Sequence, residues 1–224
     1  MPRKCLDSFR TYCSKQLTIE IEKYIENQIW NKQRFYPSAH GMYAIDDLAD
    51  LKGKKLQKKR NHTNRFRAEH PDYKVVPLTS CNMPMAQHMI NDWYVSRRQM
   101  DPDGDYFLES LAMVKAFRHY DDLDMMGIAL LDGDRILAVT MASPISADTL
   151  DVHFEKARED VPGAYNAVNC EFARYIRLNH PQIRFLNRED DLGLEGLRTA
   201  KLSYMPDHMI EKYQACLMED IYED

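Results

Sequence analysis

The segment MGIALLDGDRILAVTMASPI, Met126 to Ile145, restricts the fold more than any other stretch of the chain. Two apolar runs meet at Asp132-Gly133, and a two-residue turn between antiparallel strands needs positive φ, which glycine supplies without strain. The alternating run TLDVHFEKA, Thr149 to Ala157, predicts a third strand of the same sheet. A mid-chain antiparallel meander is therefore the fixed point, and the other elements are placed around it. Before it come a strand in YKVVPLT, a helix from Pro84 to Arg98 with Met85, Met89 and Trp93 on one face, and a helix in FLESLAMVKAFRHY. After it, Pro162-Gly163 opens a helix in AYNAVNCEFARYI, with Tyr165, Val168, Phe172 and Ile176 on one stripe. The segment FLNREDDLGLEGLRTAKLSYMP then predicts strand, turn and helix, and HMIEKYQACL a final strand.

At 224 residues with 44% hydrophobic and 29% charged content, the chain has the length and make-up of one globular domain. No apolar run approaches the roughly 18 residues of a membrane span. The basic N-terminus MPRKCLDSFRTYCSK has no apolar h-region, so the reading expects a cytoplasmic protein. Cys5, Cys13, Cys81, Cys170 and Cys216 are far apart and form no C-x-x-C pair, which predicts reduced thiols. No metal-ligand spacing stands out, and no metal is expected. The loop MDPDGDYF lacks the alternating ligands and terminal Glu of a calcium loop and reads as an exposed turn.

Charge is unevenly spread. Lys52 to Arg67, KGKKLQKKRNHTNRFR, holds eight Lys or Arg and no acid; taking those eight from the net −5 leaves −13 for the rest. This stretch predicts a basic helix ending before Pro71. Lys55, Lys58, Lys59 and Arg60 are its candidate phosphate contacts, and a solvated face, a tRNA track and anionic lipid all remain open as its partner. Upstream, LTIEIEKYIENQIW, Leu17 to Trp30, has the spacing of an amphipathic helix whose apolar face needs a partner. That need carries an expectation of self-association as a homodimer.

The order strand, two helices, three-strand meander, helix, strand, helix, strand is that of the GNAT acyltransferase fold. The blocks LKGKKLQKKRNHTNRFRAEHPDYKVVPLT, HFEKAREDVPGAYNAVNCEFARYI and FLNREDDLGLEGLRTAKLSYMP resemble those of uncharacterised bacterial proteins grouped with the phosphatidylglycerol lysyltransferase C-terminal domain. The resemblance covers roughly Tyr43 to Tyr213. It implies an α+β, GNAT-like, mainly antiparallel sheet flanked by helices, related to Fem-type aminoacyl transferases. It further implies transfer of an acyl or aminoacyl group, from aminoacyl-tRNA to a lipid or other amine or hydroxyl acceptor. Relatives carry two such domains in tandem, so residues 1–42 are expected to be a truncated remnant, 43–72 a connecting segment with the basic helix, and 73–224 the GNAT-like domain. The rival expectation is a non-catalytic module that keeps the fold and an anion-binding surface.

Charge is densest where the strand at Phe185 hands over to a helix. Arg188, Glu189 and Asp190 fall at the strand's carboxyl end, with Asp190 or Asp191 as a helix cap. Arg198 and Lys201, three apart, share a helix face, and Leu194 and Leu197 are expected to face the core. A fixed cation at Lys201 suits an acyl oxyanion, and the resemblance to Fem-type enzymes points to the same residue. Resemblance to acetyltransferases of this fold implies that Tyr204 protonates a leaving group. Glu155, on the third meander strand, is a candidate partner for a substrate ammonium or for Arg188. Asn169 completes the candidate substrate contacts. His153 reads as a groove histidine, and no Ser, His or Cys arrangement suggests covalent catalysis. Where this fold's acetyltransferases carry a glycine-rich pyrophosphate loop, the chain has EKAREDVPGAYNA, so acetyl-CoA is disfavoured and no cofactor is expected.

Overall fold

The structure is a computed structural model, and it describes residues 30–34, 40–101, 106–189, 195–210 and 213–217. The elements are β1 (Trp30–Arg34), β2 (His40–Ala44), α1 (Ile45–Asp50), α2 (Gln57–Glu69), β3 (Lys74–Pro77), α3 (Met83–Met100), α4 (Phe107–Arg118), β4 (Met126–Asp132), β5 (Arg135–Pro144), β6 (Thr149–Ala157), α5 (Ala164–Asn179), β7 (Phe185–Asn187), α6 (Glu195–Leu202), β8 (His208–Ile210) and β9 (Tyr213–Leu217). Seven strands form one sheet in the order β3-β4-β5-β6-β7-β2-β8, and β1 pairs with β9 in a separate ribbon. Every pairing in the large sheet is antiparallel except β6 with β7. This mixed, mainly antiparallel sheet flanked by helices is the α+β architecture expected from the element order. None of the described helices is long and apolar enough to cross a membrane.

The Asp132-Gly133 turn sits between β4 and β5 as its chemistry requires, with Gly133 at φ 57°. Both faces of the meander are covered. Ile128, Leu130, Ala138 and Ala142 pack against α5 residues Val168, Phe172 and Ile176 in one core. On the other face Ala129, Val139 and Met141 meet Met89, Ile90 and Tyr94 of α3 and Met113 and Phe117 of α4. Met85 and Tyr165, expected on buried stripes, are instead exposed.

Residues 43–72 belong to the first of these cores. Tyr43, Ile45, Leu48 and Ala49 are buried with α5, and Phe66 of α2 joins them. The segment YAIDDLADLKG, within the stretch expected to be a connecting segment, supplies the end of β2 and all of α1. The predicted final strand is two strands. His208–Ile210 extends the large sheet from β2, whereas Tyr213–Leu217 pairs with β1. The predicted helix Leu17 to Trp30 lies outside the described residues except for Trp30, which opens a strand. The acidic loop at 102–105 also lies outside them.

Gly163 shows how closely α2 is held to α5. It takes φ 82° at the N-terminus of α5, and a Cβ there would lie 2.5 Å from the His62 carbonyl oxygen. Gly133 has the same backbone sign with open space around it. Gly133→Ala should therefore cost only the left-handed penalty of roughly 1–2 kcal/mol. Gly163→Ala should cost that plus roughly 1–3 kcal/mol for displacing α2. Urea midpoints of the two variants measure the difference, and equal shifts would contradict the close-packed account.

Candidate functional site

Strands β6 and β7 run parallel for three residue pairs, Thr149↔Phe185, Leu150↔Leu186 and Asp151↔Asn187, and then part. Beyond that point β6 continues through Val152 to Ala157 while β7 ends, so side chains after Asn187 face those after Asp151 across a gap. Opposite Met141 and Ala142 of β5, β6 carries His153 as an extra residue between Val152 and Phe154. This bulge reverses the alternation: Val152 lies in the α5 core, whereas Phe154 packs with the core on the other face. Glu155 is thereby directed toward Asn169 of α5.

A cavity of about 500 Å³ opens in this gap, with Lys59, Glu155, Tyr165, Asn166, Arg188 and Tyr204 in its walls. Glu155 Oε1 accepts from Arg188 Nη2 at 2.8 Å, and its Oε2 accepts from Asn169 Nδ2 at 3.2 Å. The pair is nearly enclosed, with side-chain exposures of 14% for Arg188 and 12% for Glu155. Burial works against the charge on Arg188, but Glu155 and the phenols of Tyr204 and Tyr43 more than offset it, and the guanidinium is held above its ordinary pKa. Its Nη1 is buried and has no hydrogen-bond partner among the described residues.

Lys59 enters from α2. Its ammonium lies 4.0 Å from the centroid of the Tyr204 ring. Burial, followed by the charges of Arg188 and Lys58, lowers its pKa to about 8. The Tyr204 hydroxyl accepts from Asn166 Nδ2 at 2.6 Å, which leaves its own proton to donate. Burial is the first cause of its rise to about 12; Arg188 opposes that rise and Glu155 adds to it.

Lys201 also lines the cavity, but its Nζ donates to the Arg188 carbonyl at 2.5 Å, and the Tyr43 hydroxyl donates to the Lys201 carbonyl at 2.9 Å. It therefore ties α6 to the end of β7 as well as adding charge. Arg198 is not among the residues lining this cavity. No described residue of α6 is buried, and Leu197 faces the cavity rather than the core because the helix covers a gap instead of a packed surface. Leu194, Asp190 and Asp191 lie outside the described residues. Asn169 stands behind Glu155 as its support and is not itself a wall residue.

The basic helix does not present one cationic face. Lys55 and Lys58 are exposed, Lys59 turns into the cavity, and Arg60 donates to the carbonyls of Leu51 and Gly53 at 2.5 and 3.2 Å. Successive helical residues lie about 100° apart, so Lys58, Lys59 and Arg60 cannot share a direction.

A larger cavity of about 1160 Å³ adjoins, with Glu109, His153, Lys156, Glu189 and Leu197 common to both walls. His153 Nε2 is 2.8 Å from Ser143 Oγ, and its Nδ1 is 3.2 Å from Glu189 Oε1. Glu189 thus faces His153 rather than Arg188, at a left-handed φ of 50°. Sequence reasoning missed this grouping, because Ser143, His153 and Glu189 stand on three strands or strand ends and only the bulge aims His153. Lys59 as a cavity residue was concealed within a run of eight similar charges.

The sequence profile of the family described as Phosphatidylglycerol lysyltransferase, C-terminal, matches residues 10–216. The chain belongs to this family. A conserved protein of unknown function from Bacteroides thetaiotaomicron is 37% identical, with a TM-score of 0.78, over 92% of this chain and 68% of that one. The C-terminal domain of a putative lysylphosphatidylglycerol synthetase from Agrobacterium fabrum superposes with a TM-score of 0.59 over 86% of this chain and 63% of that one; at 12% identity it shows the shared fold alone. An uncharacterised protein of Mycoplasmoides gallisepticum is 25% identical over 177 residues, 79% of this chain. The chain spans about half, 55%, of that curated relative's length.

The Arg188–Glu155 pair yields a stability test. Removing one partner of a buried pair strands the other charge, at about 3–5 kcal/mol, whereas an apolar replacement of both is far milder. Glu155→Leu alone should therefore lower stability by that amount, and adding Arg188→Met should restore most of it. A double-mutant cycle from urea unfolding measures the coupling. Additive losses would show that the two charges do not depend on each other.

Proposed function

We propose that this member of the family transfers an acyl or aminoacyl group by direct attack of an acceptor amine or hydroxyl within the 500 Å³ cavity. The observation that carries the reading is a buried guanidinium nitrogen, Arg188 Nη1, unpartnered among the described residues, in a cavity that also holds an amine of pKa about 8 on Lys59. In this reading Lys59, as free amine, takes the proton of the attacking acceptor. Arg188, fixed by Glu155, stabilises the oxyanion that forms as the acceptor's lone pair adds to the carbonyl. The bond from that carbon to the leaving oxygen then breaks, and Tyr204 donates its proton to the departing alkoxide. A phenol held at about 12 keeps its proton until a strong base appears beside it. An aminoacyl-tRNA donor fits the activity named for the Agrobacterium relative, and exposed Lys55 and Lys58 would meet its phosphates next to the point where Lys59 enters.

Incubation with tRNA charged with each radiolabelled amino acid, together with phosphatidylglycerol vesicles or a soluble amine, tests the proposal directly. Label should pass to the acceptor, and Lys59→Met should reduce that transfer by roughly 10² to 10⁴, the usual contribution of a positioned base. Absence of transfer from every charged tRNA, or a Lys59→Met variant as active as the parent, would overturn it.

Lys59 also leaves a signature independent of substrate. Its pKa is lower folded, at about 8, than unfolded, near 10.4, so between those values the unfolded chain binds more protons. Stability should rise with pH in that window relative to Lys59→Met. Below about pH 8 the parent should be no more stable than the variant. Urea midpoints at pH 7, 8 and 9.5 check the sign, and amine-reactive labelling at pH 8 with peptide mapping should find Lys59 modified ahead of the exposed Lys55 and Lys58.

A further inference from the structure

Beside the transfer cavity, Asp151, His153 and Glu189 bring three potential ligand atoms within 4.8 Å of one another. His153 Nδ1 lies 3.2 Å from Glu189 Oε1 and 3.9 Å from Asp151 Oδ2. On the ring's other side, Nε2 is 2.8 Å from Ser143 Oγ. When Nε2–H donates to that hydroxyl, the lone pair of Nδ1 points toward two carboxylates. Three potential ligand atoms then face one point, where a bound cation would take the place of the proton that His153 otherwise shares with Glu189. Arg188, the nearest cation in sequence to Glu189, is committed to Glu155.

We propose that Asp151, His153 and Glu189 form a divalent transition-metal site, best matched to Zn²⁺, with an open coordination position. Bonds of about 2.0–2.2 Å in a tetrahedron place neighbouring ligand atoms about 3.3–3.6 Å apart; His153 Nδ1 stands 3.2 and 3.9 Å from the two carboxylates, and all three atoms lie within 4.8 Å, so a bound ion would draw them inward by a few tenths of an ångström to about 1 Å. One imidazole and two carboxylates suit zinc better than magnesium or calcium, which take oxygen-only shells. Three protein ligands rather than four leave a position for water or an exogenous oxygen ligand, the arrangement of a reactive rather than a structural zinc. Access comes from the 1160 Å³ cavity, whose wall includes His153, Glu189 and Ser143. Ser143 plays the supporting part, holding the ring so that Nδ1 faces the ion. The β6 bulge makes this possible by placing Asp151 and His153, two residues apart, around one point with Glu189.

The test is titration of the metal-stripped full chain with Zn²⁺ by calorimetry, and with Co²⁺ by visible absorption. A single equivalent should bind at micromolar Kd or tighter, with the intense d–d bands of four-coordinate cobalt. His153→Gln and Glu189→Gln should each abolish stoichiometric binding, and Ser143→Ala should weaken it about 10-fold or more. Circular dichroism shows whether each variant is folded, and the partly exposed Glu189 gives a readout should His153→Gln fail to fold. His88, His119 and His208, each beside an aspartate on the surface, are among the competing sites. His88→Gln/His119→Gln should leave the titration unchanged. Loss of binding in that double variant, or no stoichiometric uptake by the parent at millimolar Zn²⁺, would overturn the proposal. Neither outcome bears on Lys59-dependent transfer, which is read separately.

Discussion

The early parting of β6 from β7 is the constraint on which the rest depends. After three paired residues, two strand ends lose their ladder partners inside a packed protein, and the polar groups there must be satisfied in some other way. Lys201 bonds the Arg188 carbonyl, the Arg188 and Glu189 N–H groups donate to the Gly41 carbonyl and the Asn187 side chain, and the side chains of Arg188 and Glu155 pair with each other across the gap. A buried ion pair contributes little net stability, because desolvation offsets most of the Coulomb attraction, but it penalises strongly any arrangement that separates the partners. The gap is thereby held at one width. Asn169 supports Glu155 from α5, the Tyr204 and Tyr43 rings lie 4.8 and 5.8 Å from the guanidinium carbon, and Lys201 binds the Arg188 carbonyl. Five elements, β2, β6, α5, β7 and α6, are thus tied together around one guanidinium and its backbone.

Much of the frame was legible because its signals are local. Asp132-Gly133 specifies a hairpin through φ alone, and the Val168, Phe172 and Ile176 stripe specifies which face of α5 is buried. What was not legible depends on pairing across the chain. Tyr43 to Asp50 has neither the length nor the alternation of a convincing strand and helix. It becomes both because β7 and β8 pair with it on either side and α5 buries Ile45, Leu48 and Ala49. The boundary between β8 and β9 is equally invisible in HMIEKYQACL, since only the partners differ. Among site residues, Glu155 with Arg188 was foreseeable from charge and strand position. His153 was expected as a groove histidine, but its grouping with Ser143 and Glu189 was not foreseeable, because a bulge reverses the alternation on which any strand reading relies.

The basic run illustrates the same limit for charge. Eight cations without an acid read as one polyanion track, but geometry divides them among different tasks. Arg60 satisfies the carbonyls that end α1, and Arg67 donates to the buried Glu171 at 2.6 Å, which Tyr73 and Arg174 also reach. Lys59 is turned inward, where burial and Arg188 lower its pKa. Charge density in sequence therefore marks a segment that must remain charged for several reasons, and the helical rotation of about 100° per residue decides which.

Glu189 connects the two cavities, and its backbone makes the connection specific. A non-glycine residue at φ 50° sits in a region disfavoured by roughly 1–2 kcal/mol, so its conformation persists only because neighbours enforce it. Two of them are visible: the Asn187 side chain accepts from the Glu189 N–H at 2.9 Å, and Lys201 binds the carbonyl of the preceding residue. In an extended conformation, consecutive side chains would point in opposite directions, and Arg188 and Glu189 would do so with no further consequence. The left-handed turn instead lets Arg188 face Glu155 on one side while Glu189 reaches His153 on the other. The turn thus leaves each of two adjacent opposite charges with its own partner. A loop relaxed to ordinary φ would aim Glu189 elsewhere and take from His153 the carboxylate that lies 3.2 Å from its Nδ1.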